Sequence, residues 1–205
     1  MTTAQSKKSG KGITDGMISE LATFWDILPG HAEEARAGSQ RMIEAVHNLD
    51  PVTSAKTGLR DARLVVFNDG RQLLFATTFE TEWDPYVDDA ILAVGIEHFI
   101  DWMQHTAQGK DIVAWLKESG IQELDPNDPE YVATVRKRTA GLKAILHSVQ
   151  SPATAYYNPT ADETLTQIKR DQRLEATFQQ VLDDPAAADA LQQPVLKPLL
   201  EMAAD

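Results

Sequence analysis

Apolar and polar positions alternate over residues 19–28, SELATFWDIL, which also carry aromatic and β-branched side chains. That period predicts a strand, ended by Pro29-Gly30. Residues 31–48 change period: Ala35, Met42, Ile43 and Val46 fall on one helical face, and Asp50-Pro51 closes the helix. Residues 62–67 and 72–79 are two further strands around Asn68-Asp69-Gly70-Arg71, a hairpin signal because Asp-Gly readily takes positive φ. Asp84-Pro85 is a cap followed by a first-turn proline, and its helix runs past Gly95 to about Thr106. Helices follow over 111–119 and 130–149, separated by a LDPNDP loop. A short fourth strand is predicted at 153–158, ATAYYN, then a helix over 162–183 with Thr160 and Glu163 as a capping box.

The order of the first six elements is βαββαβ, an α+β ferredoxin-like core. Residues 1–16 read as a disordered polar tail, 17–184 as the domain with a helical insertion at about 107–150, and 185–205 as a C-terminal helical tail. Pairing across Asp69-Gly70 sets Val66 opposite Leu73, Leu64 opposite Phe75 and Ala62 opposite Thr77, an apolar face suited to helices. The other face carries Arg63, Val65, Phe67, Leu74, Ala76, Thr78 and Glu80. It is too apolar for open water, and a second subunit's sheet is its simplest cover.

Composition narrows the class. The chain has 205 residues, is 42% hydrophobic and has no cysteine, so disulfides, thiolate nucleophiles and Cys-ligated metals are excluded. Its net charge of −12 argues against nucleic-acid partners. No apolar run reaches the roughly 18 residues of a membrane span. The polar start MTTAQSKKSGKG is no secretory leader, which places the protein in the cytoplasm. No phosphate loop, dinucleotide fingerprint or Ser-His-Asp signature occurs.

The stretch FWDILPGHAEEA and the passage ARLVVFNDGRQLLFATTFETEWDPYVDD resemble the dimeric α+β-barrel superfamily. That superfamily includes the antibiotic-biosynthesis monooxygenase type and the haem-binding chlorite-dismutase and dye-decolourising-peroxidase types. The resemblance covers residues 19–105, with ATAYYN as last strand. Gly58-Leu59-Arg60-Asp61-Ala62 meets the peroxidases' GxxDG motif except at its final glycine. The resemblance implies a homodimer with a pocket at the sheet, and oxidoreductase or monooxygenase-like action on a small organic molecule, with haem as an optional cofactor.

In that reading Arg63 orients an anionic group, Thr78, Glu80 and Tyr157 make polar contacts with substrate, and His98 or His105 supplies acid–base or ligand chemistry. An ordinary Arg63–Glu80 ion pair at the sheet margin is the competing account. His98, Asp101, Trp102 and His105 share one helical stripe. Two imidazoles and a carboxylate there have metal-binding chemistry, but an amphipathic helix boundary produces the same spacing, and no metal ligand is assigned. His147 suits a helix C-terminus. The alternative function is a non-catalytic binding or assembly protein that docks another protein through its extra helices and C-terminal tail.

Overall fold

A computed structural model describes residues 12–203. Residues 1–11 of the expected tail lie outside the described residues. Residues 12–16 are not tail: β1, Thr14–Asp15, pairs with the start of β2, Ile18–Asp26. After β2 come α1, Ala32–His47, and α2, Pro51–Lys56. Asp50-Pro51 follows the end of α1, as expected, and also opens α2. The Asp50 carboxylate accepts from the Val52 and Thr53 amides, and Pro51 takes the first turn, where no N–H is needed.

The hairpin β3, Leu59–Phe67, and β4, Gln72–Phe79, has the expected register of Val66 with Leu73, Leu64 with Phe75 and Ala62 with Thr77. Asn68 and Asp69 both adopt positive φ, 52° and 55°, a conformation their short polar side chains tolerate. The expected helix from Asp84 to Thr106 is two helices, α3, Trp83–Val94, and α4, Ile96–Met103. Gly95 between them has φ 92°, outside the helical region and open only to glycine at little cost. Helix α5 spans Gly109–Ser119. The 130–149 helix is likewise two, α6, Tyr131–Arg138, and α7, Ala140–Val149, with the hydroxyl of Thr139 at the break donating to Asp88 (2.7 Å).

These elements form an α+β fold around one four-stranded antiparallel sheet, in the order β1-β2-β4-β3. The fourth strand is therefore β1, and 153–158 is not a strand. Pro152 and Pro159 bracket that segment and cannot donate to a ladder. Only its approach pairs with the sheet backbone, through the Thr23–Gln150 bridge and the Ser151 amide on the Ala22 carbonyl.

One sheet face is covered by helices. Leu21, Trp25, Leu73, Phe75 and Phe79 meet α1, α3 and α4 in a single core. Trp25 packs edge-on to Trp102 with centroids 5.2 Å apart, and the Trp102 indole donates to the Met42 sulfur. Gly38 lets α1 approach α4 closely, since a Cβ there would stand 2.9 Å from the Asp101 backbone.

The chain divides after Leu165 into two compact units. In the second, α8, Leu165–Leu182, begins three residues later than expected, because Thr160 turns its amide and hydroxyl to Asn158 instead of capping the helix. It is followed by α9, Ala188–Leu191, and α10, Lys197–Ala203. Neither α8, α9 nor α10 buries a residue. Among the described residues no helix is long and apolar enough to cross a membrane.

Candidate functional site

The uncovered face of the sheet presents three-residue rows, one residue each from β2, β4 and β3. Asp26, Gln72 and Phe67 form the first; Phe24, Leu74 and Val65 the second; Ala22, Ala76 and Arg63 the third; Glu20, Thr78 and Asp61 the last. The face is thus apolar in its second row, with polar groups at both ends of the strands. The last row continues the hairpin register, and a bulge follows it: the pairing shifts between Asp61 and Leu59, with Arg60 as the extra residue.

Residues 151–156 cross this face as a strap, and strap and sheet enclose a trough of about 560 Å³. Glu20 anchors the strap: its buried carboxylate accepts from the amides of Ile13 and Ala153, both at 3.0 Å. Further along, the Asn158 amide donates to Asp15 (2.8 Å) and the Met17 amide to the Ala161 carbonyl (3.0 Å). The floor is Ala22, Phe24, Leu74 and Ala76. The polar end holds Asp61, whose carboxylate accepts from the Thr78 hydroxyl at 2.5 Å, with the Tyr156 hydroxyl facing the same group. Burial pushes the Tyr156 hydroxyl up, the negative charges of Asp61 and Asp15 add to this, and hydrogen bonds with Asn158 and Thr78 oppose it. The phenol therefore remains a proton-bearing donor at neutral pH. Arg63 also lines the trough and is exposed, with no ion pair or hydrogen bond to a described residue.

The residues expected at the site are only partly brought together. Arg63 and Thr78 both line the trough. Tyr157 does not: it is 80% exposed, and its neighbour Tyr156 takes the inward position. Glu80 lies outside the trough lining and pairs with Arg60 at 2.6 Å, not with Arg63. The Arg60 guanidinium also donates to the Thr160 hydroxyl and the Glu163 carbonyl, and Glu80 accepts from the Leu165 amide. This nearly buried pair latches the end of the segment that carries the strap. Asp61 and Glu20 are polar trough residues the sequence did not single out for the site, and of the adjacent tyrosines, one of which is expected to face the cavity, it is Tyr156 that does. The near-match to GxxDG did pass over Asp61, but for a different chemistry.

His98 and His105 belong to α4 and the turn after it, and α4 packs on the opposite face through Phe99 and Trp102 against Phe75. Neither histidine lines the trough. His98 stands 4.0 Å from Glu97. Asp101, expected beside them, is gripped by Arg41 through two hydrogen bonds of 2.7 and 2.9 Å, which hold its carboxyl below the usual range. The His105 Nδ1 meets the Nδ1 of His31 at 3.0 Å, and burial with the nearby His31 lowers the His105 imidazole. His147 stacks on Trp83 with centroids 4.1 Å apart. With no histidine in its lining, the trough offers no imidazole ligand to haem. Comparison of the chain with family models, with curated proteins and with solved structures finds no match.

Proposed function

We propose that the protein binds a small organic acid with an apolar body in the trough and acts on it there, in the manner of the oxidative superfamily its sequence resembles. The reading rests on one observation: Arg63, a cation without a described partner, projects beside a floor of Ala22, Phe24, Leu74 and Ala76. An arginine fork matches a carboxylate in two hydrogen bonds, and the apolar floor suits an aryl or alkyl body. At the polar end, Asp61 accepts from a ligand hydroxyl while Tyr156 donates to its oxygen. The ligand class is therefore hydroxy-substituted aromatic or aliphatic acids. A second copy covers the exposed side chains of Phe24, Val65 and Phe67, 45, 43 and 37% exposed, giving the homodimeric α+β barrel, ferredoxin-like in plan.

The test titrates 4-hydroxyphenylacetate into the full chain and follows amide chemical shifts. Saturable shifts at Ala22, Ala76, Thr78 and Tyr156 are expected, with affinity about tenfold lower in Arg63→Gln, the equivalent of ~1.4 kcal/mol. Shifts mapping elsewhere, or equal affinity in the variant, overturn the reading. Assembly through the second unit is the other reading, favoured by Leu174, Val195 and Met202, which are 66, 82 and 76% exposed. A hetero-complex lost on removing residues 186–205 supports it.

A further inference from the structure

Two of the five histidines converge, on the helical side of the sheet. His31 precedes α1, and His105 follows α4. Their positions are set by backbone, not by flexible loops. The Ala107 amide donates to the Asp26 carbonyl (2.8 Å), the Leu28 amide to the His105 carbonyl (2.9 Å) and the His31 amide to the Leu28 carbonyl (3.0 Å), and Ile27 bridges Thr106. The two segments are stitched together, and each delivers an imidazole to the same point.

The Nδ1–Nδ1 distance of 3.0 Å has a simple consequence. One ring must carry its hydrogen on Nδ1 and donate it to the bare Nδ1 of the other. Two Nδ1 atoms bound to one zinc ion at about 2.0–2.1 Å stand only slightly further apart in a tetrahedral shell. We propose that His31 and His105 form a binding site for a borderline divalent cation such as Zn²⁺, which takes the place of the shared hydrogen. On binding, the donor ring gives up its Nδ1 hydrogen to water and takes one at Nε2, so both rings become Nε2–H tautomers with Nδ1 on the metal. No third side chain is grouped with the pair among the described residues, so water completes the shell. Glu34, in the first turn of α1, adds negative charge near His105. Asp101 is committed to Arg41. The metal joins the β2–α1 connection to the α4–α5 connection, and binding to the folded state alone raises the melting temperature.

The test is calorimetric titration of the full chain with Zn²⁺ in a non-chelating buffer at pH 7.5. Binding at one ion per chain is expected, weakened about tenfold or more in His31→Ala and in His105→Ala and unchanged in His47→Ala. Nitrogen-15 spectra of the unaltered protein test the same point without any variant. Before metal, one of the two rings is the Nδ1–H tautomer. After it, both are Nε2–H, and His47, His98 and His147 are unmoved. Absence of binding, binding that survives both substitutions, or shifts at the other histidines overturns the proposal.

Discussion

Trp25 and Phe24 are neighbours on one strand and live in different environments. Trp25 is 1% exposed, wedged against Trp102 beneath the helices, whereas Phe24 is 45% exposed on the trough side. The same contrast runs through β4, where Phe75 is buried in the core and Leu74 floors the trough. Three helices packed as a continuous apolar layer cover one face; a strap held by Glu20 and by the Arg60–Glu80 latch covers part of the other. The first arrangement fills most of its face with packed side chains and supplies stability. The second leaves a trough and supplies polar groups at one end. The trough on this sheet is thus located by what the helices fail to cover.

The largest expected effect breaks the comparison directly. Trp25→Ala should cost about 3–5 kcal/mol in urea unfolding, because it removes a large side chain from a packed core, while Phe24→Ala should stay within about 1 kcal/mol. Similar losses at both positions would mean that the trough face is as tightly covered as the core.

A smaller effect is expected at the strap's latch. Arg60→Met leaves Glu80 charged and enclosed, and should cost about 3 kcal/mol in the same measurement. Adding Glu80→Met in the same chain should recover part of that loss, since two apolar groups need no partner. No recovery would show that the latch acts through packing of the arginine stem instead of its charge.

The smallest effect lies on the outer surface of the helical layer. Arg41 holds the Asp101 carboxyl below its usual range, so the folded form has the lower pKa. Its contribution to stability is therefore present above the unfolded value, near 3.8, and is lost as pH falls through the folded one. Melting temperatures of Asp101→Asn should converge with those of the unaltered protein toward pH 2.5 and lie slightly below them at pH 6. A constant difference across that range would rule out the ion pair as the cause.

Much of the sheet could be read from residue order. Alternation specified the three strands β2 to β4, and the turn fixed the register and the two faces of the β3–β4 hairpin, because a period of two is a local property of extended chain. The hairpin turn was equally legible, since Asn68, Asp69 and Gly70 are the residue types that tolerate positive φ. Helix ends were less so. Gly95 and Thr139 sit inside runs whose apolar spacing continues across them, and only tertiary contacts decide that the axis turns there. The site was half legible. Arg63 and Thr78 follow from alternation, but Tyr156 over Tyr157 depends on which way a strand-like segment turns once two prolines deny it a ladder.

By itself, then, the sequence determined the α+β class, the three long strands and the apolar face that must be buried, all from spacing over a few residues. Only the tertiary structure decided that β1 and not 153–158 is the fourth strand, that Arg60 and not Arg63 takes Glu80, and that His105 meets His31 instead of His98. The last two join residues well separated in the chain, through a bulge and a stitched pair of connections, and the first turns on which of two segments reaches the edge of β2. Such pairings depend on how elements are brought together in space, which no local period encodes.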